Sequence, residues 1–294
     1  RLERWARCPF SYYLGNILGI AAIDKPEENL SITPIERGRL IHSILEVFFN
    51  VIMNDSSMPK PGQDWSEEHV ELLMALAEKA FDEAEARGLT GRRLLWQIEK
   101  EDIGLSLRAF LDQDSRLREK YGVTARNVEA KFGVDTDSWQ AVTVDLPGDI
   151  TVRFRGVIDR VDVDSSGKQV LVTDYKTGSA TPYRGLNKDP LDSGRRLQLP
   201  IYSLAVRQHL GDDVDVRAAY WFVTDGARLP LRPSEPLQID EVLDQFNTVI
   251  SAISNGIGSG LFPANPGPRG YQNKPENCTY CDFDRLCPSR REVV

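Results

Sequence analysis

Two aspartates and a lysine stand at the ends of two alternating apolar runs, a combination that can do hydrolytic chemistry. The segment Phe154-Arg-Gly-Val-Ile-Asp159-Arg-Val-Asp-Val-Asp164-Ser-Ser-Gly-Lys168-Gln-Val-Leu-Val-Thr-Asp174-Tyr-Lys176 carries turn-forming residues from Asp164 to Lys168. It predicts a β-hairpin. A turn centred between Ser166 and Gly167 pairs Val163 with Val170, Val161 with Val172 and Asp159 with Asp174. Lys176 then shares the face of Asp174. Like charges directly opposite each other destabilise a hairpin and raise each other's pKa, and a divalent cation between them removes the conflict. Oxygen ligands of this kind suit Mg2+ or Mn2+, which can stabilise charge on a phosphate and lower the pKa of an attacking water. A lone D-x-K carries little weight in a chain this rich in charge, so the pairing is what counts.

The cysteines form a second candidate centre. Cys8 lies in ARCPF near the start, and Cys278, Cys281 and Cys287 follow the pattern C-x2-C-x5-C-P near the end. Close neighbours such as Cys278 and Cys281 rarely form structural disulfides. Four thiolates can instead hold one metal centre, either a [4Fe-4S] cluster or zinc. The spacing favours the cluster over paired CxxC zinc knuckles. A centre joining Cys8 to the C-terminal trio closes a loop of almost the whole chain and acts as a staple.

These residues need elements to hold them. Ile35, Ile41, Ile44, Leu45, Phe48, Phe49 and Ile52 recur at helical spacing after Thr33-Pro34, which predicts a helix over 34–53 bearing His42. Further helices are expected over 66–87 and 91–120, with a loop at 54–64. After Tyr121 the period changes to two, and strands are expected at 128–134, 138–144, 151–163, 169–175 and 214–223. Helices return at 195–210 and 239–254. Gln198 and Tyr202 lie one turn apart and share a helix face. An amphipathic helix packing Leu197, Ile201, Leu204 and Ala205 inward is the competing account of that segment. Arg184, Lys188, Arg195 and Arg196 precede it as candidates for phosphate contact. His69 and His209 have no companions of this kind and read as structural or solvent-facing.

Composition narrows the class. The chain has 294 residues, 41% hydrophobic and 27% charged, with 22 Gly, 17 Pro and 4 Cys. That excludes collagen, coiled coil and dense-disulfide scaffolds. No apolar run approaches the roughly 18 residues a membrane span needs. The formal net charge of -8 argues against coating nucleic acid by bulk charge but leaves room for local basic surfaces. No G-x-x-x-x-G-K-[ST] occurs, so no NTP-driven motor is read here. The start, RLERWARC, has neither an initiator Met nor an apolar signal core, and we expect a piece of a longer chain.

Asp159 with Asp174-Tyr175-Lys176 resembles the PD-(D/E)XK nuclease motif, and the surroundings resemble its RecB-like branch, found at the C-termini of helicase–nucleases such as AddB and AdnB. Cys8-Pro-Phe with Cys278, Cys281 and Cys287 resembles the iron–sulfur staple of that branch. Gly38-Arg-Leu-Ile-His42 resembles its G-x-x-x-H helix, and Gln198-Leu-Pro-Ile-Tyr202 resembles its Q-x-x-x-Y motif. Glu129 resembles an acidic residue that some relatives add to the metal site.

The resemblance implies an α/β fold with a restriction-endonuclease-like core: a central mixed sheet flanked by helices, an N-terminal helical lobe and an iron–sulfur clip joining the terminal segments. It implies one domain over 1–294, with a helical part at 1–121, a nuclease core at 122–254 and a clip segment at 255–294. It further implies Mg2+- or Mn2+-dependent hydrolysis of DNA, more exonuclease than endonuclease, on single strands delivered by a helicase domain or partner subunit during double-strand break repair in a bacterial cytoplasm. In that reading His42, Asp159 and Asp174 hold the metal, with the Tyr175 carbonyl as a further ligand. Lys176 assists the water, Gln198 and Tyr202 touch DNA, and Cys8, Cys278, Cys281 and Cys287 hold a [4Fe-4S] cluster. Two alternatives stay open: a stand-alone exonuclease of the CRISPR-adaptation type, and an inactive iron–sulfur module that only binds DNA or a companion protein.

Overall fold

The computed structural model describes residues 1–21, 30–223, 234–269, 273, 275–283 and 286–288. Helices α1 (Leu2–Arg7) and α2 (Pro9–Tyr12) lead into a short π-helical turn, and α3 (Pro34–Asn54), α4 (Glu67–Ala86) and α5 (Arg93–Tyr121) form the first large helical layer. Strands β1 (Val123–Phe132), β2 (Val142–Leu146), β3 (Ile150–Phe154), β4 (Gly156–Asp164) and β5 (Gln169–Lys176) follow. Then come α6 (Gln198–Leu210), β6 (Asp215–Phe222), β7 (Leu237–Gln238) and α7 (Ile239–Gly258). Among the described residues no helix is long and apolar enough to cross a membrane.

Five strands make the central sheet in the order β1-β4-β5-β6-β7. Strand β4 is antiparallel to both β1 and β5, β5 is parallel to β6, and β6 is antiparallel to β7. A parallel neighbour requires a crossover, which α6 supplies. Strand β5 is buried over Val170–Tyr175, as expected for a strand covered on both faces. Leu171, Tyr175 and Trp221 pack under α3, α4 and α5, while Val161, Val163, Val170 and Val172 pack under α6 and α7. The sheet thus separates two apolar cores, the α/β arrangement expected.

Local chemistry sets the helix ends. Thr33 Oγ1 accepts the Glu36 amide at 3.2 Å with Pro34 in the first turn, but the Glu36 carboxylate turns to Arg39 rather than back to the cap. Ser66 caps α4 together with His69, whose Nδ1 accepts the Ser66 amide at 3.2 Å. His69 is therefore structural. Helix α5 stops at Gly122, whose φ of 66° suits a residue without Cβ.

Several boundaries differ from the sequence expectation. The predicted strand 151–163 is two strands that part at Arg155: β3 pairs with β2 as a separate ribbon, and β4 joins the central sheet. The strand placed at 138–144 is displaced to Val142–Leu146, and the first strand starts at Val123 instead of 128. Helix α6 begins at Gln198 instead of 195, because Ser193 and Gly194 take positive φ angles that end the preceding turn.

Beneath the sheet lies a fully buried ionic network. Asp114 and Arg118 of α5 face Arg160 and Asp162 of β4, all with no exposure. Arg118 Nε donates to Asp114 Oδ2 at 2.8 Å, Arg160 Nη1 meets Asp114 Oδ1 at 2.6 Å, and Arg160 Nε meets Asp162 Oδ1 at 2.7 Å. Trp65 Nε1 donates to Asp114 at 2.8 Å, and Arg118 reaches the Pro59, Lys60 and Gln63 carbonyls. Removing one partner of such a network leaves buried charge uncompensated, at a cost of about 3–5 kcal/mol. We expect Asp114→Ala to lower the unfolding free energy by about that amount in urea titrations. A loss under about 1 kcal/mol would show that α5 is not held to β4 by these charges.

Candidate active site

The β4–β5 ladder follows the expected register, with Val163 opposite Val170 and Val161 opposite Val172, and its last pair is Arg160 with Thr173. One residue beyond, Asp159 and Asp174 do not continue it. The Asp159 carboxylate swings across and accepts the Tyr175 amide at 2.6 Å. Asp174 faces Lys176 instead, and their ion pair replaces the like-charge contact. Each acid has acquired its own partner.

Helix α3 brings His42 to Asp159. His42 Nδ1 lies 3.4 Å from Asp159 Oδ1 and 3.9 Å from Glu129 Oε1. Its ring stands edge-on to Tyr175, with centroids 5.8 Å apart. Gly38, one turn earlier, lets the helix approach: a Cβ there would sit 3.1 Å from Thr177 Oγ1. Arg37 adds a hydrogen bond to the Thr177 carbonyl at 3.2 Å. The spacing G-x-x-x-H thus puts a packing contact and a histidine beside Asp159 on one helix face.

Glu129 arrives from β1 with φ of 47°, between the pairs Val128 with Arg160 and Ala130 with Ile158. A non-glycine residue in that region costs about 1–3 kcal/mol and persists only where its surroundings impose it. Here the imposed backbone belongs to the carboxylate beside His42. Glu46, four residues after His42 on α3, lies near the same centre; burial first, then the Glu129 charge, pushes its carboxyl up. Neither the strain at Glu129 nor the contribution of Glu46 follows from an alternating pattern, although the one-turn spacing from His42 to Glu46 is visible in the sequence.

His42, Glu129 and Asp159 each offer a ligand atom, all within 4.8 Å of one another. One imidazole and two carboxylates gathered this closely could hold a divalent cation. Of the expected metal set, the structure gathers His42 and Asp159 with Glu129 and leaves Asp174 beside that group, turned to Lys176.

Lys176 joins the D-Y-K strand end to the Q-x-x-x-Y helix physically. Besides pairing with Asp174, its Nζ donates to Gln198 Oε1 at 2.9 Å and lies 5.2 Å over the Tyr220 ring. Gln198 Nε2 reaches Tyr202 Oη at 3.4 Å. Asp174, Lys176, Gln198 and Tyr202 therefore form one polar chain from β5 to α6. Burial alone would lower the Lys176 pKa, but Asp174 outweighs it and the ammonium is held. Burial pushes Asp174 up to about 6, with Lys176 opposing and Asp159 adding to the rise.

The basic residues before α6 take varied positions. Arg184 and Lys188 are exposed, Arg195 pairs with Asp192 at 2.7 Å, and Arg196 lies 4.1 Å over the Tyr183 ring. His209 stacks on Trp139 at 4.1 Å, away from the acids. Cys8, Cys278, Cys281 and Cys287 line one pocket together with Asn265 and Asn277. The Asn265 amide donates to Cys8 Sγ at 3.4 Å, and Asn277 Nδ2 donates to the Arg7 carbonyl at 2.9 Å.

His42 yields a pH prediction. Burial works against its cation, but Asp159 and Glu129 outweigh burial and raise the pKa from 6.5 to about 10. The ion-free ring is thus protonated at neutral pH, and a ligating nitrogen must lose that proton. Divalent-ion affinity should rise about tenfold per pH unit below about 10, as long as the carboxylates stay ionised. Calorimetry in buffers of different ionisation enthalpy should read about one proton released at neutral pH. Tight binding without proton release would place His42 outside the ion's ligand shell.

Comparison with known proteins agrees with this geometry. The family model described as the PD-(D/E)XK nuclease superfamily matches residues 1–288. An ATP-dependent helicase/deoxyribonuclease subunit of Symbiobacterium thermophilum is 30% identical over 82% of this chain and 20% of its own length. Its namesake in Alkaliphilus oremlandii is 27% identical over the whole chain and 26% of its own length, and that of Clostridioides difficile 26% identical over 72% and 18%. The chain spans about a quarter or less of these relatives. A whole-chain match, and a D-Y-K strand end set beside Asp159 with a histidine from the preceding helical layer, lead to one conclusion: this chain belongs to the PD-(D/E)XK nuclease superfamily, with the features of its RecB-like branch.

Proposed function

We propose that residues 1–294 act as a single metal-dependent DNA nuclease domain that hydrolyses phosphodiester bonds, working on single strands delivered by the helicase part of a longer helicase–nuclease or by a partner subunit. The observation that carries this reading is the junction of two groups. The His42, Glu129 and Asp159 cluster meets the polar chain Asp174, Lys176, Gln198 and Tyr202 at the end of one strand pair. The names of the relatives, and the small share of each that the chain spans, support a domain of such an assembly. Repair of double-strand breaks in a bacterial cytoplasm is the setting that fits those names.

His42, Glu129 and Asp159 would hold the ion, with Asp174 at hand as a further carboxylate. A divalent ion held there supplies Lewis-acid stabilisation of the scissile phosphate and lowers the pKa of an attacking water. Lys176 stays an ammonium at neutral pH, so it serves as a hydrogen-bond donor to developing negative charge and not as a base. Asp174 and Gln198 fix where its protons point. Tyr202, whose phenol is pushed far up by burial and then by Asp174, stays neutral and donates to phosphate or base.

The cysteine cavity supports a [4Fe-4S] cluster. The four thiols line one pocket, and their C-x2-C-x5-C spacing with a remote Cys8 departs from the paired CxxC knuckles of structural zinc. Cys281→Ser is expected to lose iron and the broad absorbance near about 400 nm, and to lower stability by roughly 4–5 kcal/mol through the loop it reopens. A colourless wild-type preparation rich in zinc would replace the cluster with zinc.

Digestion of labelled single-stranded DNA with Mg2+ or Mn2+ tests the catalytic reading. We expect Asp174→Ala and Lys176→Ala each to cut the rate by at least about 100-fold while the fold persists by circular dichroism. No cleavage by the intact chain with either ion would favour a DNA-binding module.

A further inference from the structure

Strand β3 turns a line of side chains to solvent: Thr151, Arg153 and, at the joint with β4, Arg155 are exposed, while Ile150, Val152 and Phe154 are half-buried against the α6 and α7 core. Arg195, Arg207 and Arg217 each meet a carboxylate. Arg153 and Arg155 meet none, and no hydrogen bond ties either guanidinium among the described residues. In a chain of net charge -8, two adjacent unneutralised cations on one strand face mark a surface that expects an anion.

Their location says which anion. Both line a groove whose walls include Glu3, Tyr12, Phe154, Gln198 and Tyr202. Gln198 is the residue bonded to Lys176, so the groove opens on the proposed catalytic chain. Its floor is kept low by Gly156, where a Cβ would meet the Phe132 ring at 3.0 Å and the Tyr202 ring at 3.6 Å. Arg153 also lines a second cleft, of about 1030 Å3, with Trp139, Gln140 and Gln208. The two clefts share Arg153.

Resting on the nuclease reading above, we propose that Arg155 and Arg153 grip successive phosphates of a single DNA strand, which passes from the Gln198–Tyr202 groove along the solvent face of β3 toward the Trp139 cleft. Alternate residues of a strand lie roughly 6.6 Å apart, a spacing that suits neighbouring phosphates of an extended chain. Guanidinium groups take phosphate oxygens in a bidentate fork, and aromatic walls accept bases of any sequence. The track is distinct from the Arg184–Arg196 loop, whose two innermost arginines are already engaged.

Fluorescence anisotropy with labelled oligothymidylate, in EDTA so that nothing is cut, tests the grip across a salt series. We expect Arg153→Gln and Arg155→Gln each to weaken binding several-fold and to reduce the slope of log K against log salt by about 0.7, the double variant by about 1.4. Arg93→Gln, an exposed position on α5, should leave the slope alone. An unchanged slope in the double variant, or no binding by the wild type, overturns the proposal. Digestion with Mg2+ is read separately: cleavage with an unchanged slope removes the track and keeps the nuclease, whereas slope loss without cleavage keeps the track and removes the catalysis.

Discussion

The site depends on what happens where the β4–β5 ladder stops. Up to Arg160 and Thr173 the backbones satisfy each other. Past that pair the Tyr175 amide would be a buried donor without a partner, and the Asp159 carboxylate takes it at 2.6 Å. That one bond fixes the Asp159 side chain. Its second oxygen is left facing His42, and Asp174 is relieved of a like charge directly opposite. The divergence of two strands thus leaves an acid beside a histidine on one side and an acid–ammonium pair on the other.

Such an opening needs a rigid strand behind it. Arg160 follows Asp159 directly and enters the buried network with Asp114, Asp162 and Arg118. Arg160 also lies 4.5 Å over the Phe49 ring of α3, the helix that carries His42. Adjacent residues of β4 thus meet the same helix α3, Asp159 at His42 and Arg160 at Phe49. Burial works against the Arg160 cation, but the charges of Asp114 and Asp162 outweigh it. Fold and site are fastened at the same turn of the same strand.

The sequence made part of this legible. Val161 and Val163 against Val170 and Val172 gave a two-residue period and a clear turn, so the hairpin register followed. The helix bearing His42 followed from its apolar spacing and Thr33-Pro34 cap. Arg160 and Asp162 were not legible, because a period-two pattern alone puts V-D-V-D charges on a solvated face, whereas α5, bearing charges of its own, covers that face. Glu129 came from resemblance alone, since its direction depends on a positive φ within β1. The break at Arg155 was hidden because β3 and β4 read as one alternating run, and nothing local announces that its halves pair with different strands.

The cysteine segment and the catalytic strands are linked through the first helix. Asn265 and Asn277 hold the Arg7 carbonyl at 3.1 and 2.9 Å, which fixes the end of α1 beside the four thiols. The same helix packs on α7, where Gly256 makes room for the Trp5 ring. From α1, Glu3 reaches the Leu197 amide at 2.6 Å, at the start of α6. A carboxylate there satisfies an orphan donor and opposes the positive end of the helix dipole. Gln198 is the next residue, and its amide oxygen sets the position of Lys176. The thiols are far from the acids in sequence, yet three contacts carry their anchorage to the lysine. The segment that carries the thiols thus reaches Lys176 through α1, the helix that caps the helix presenting Gln198.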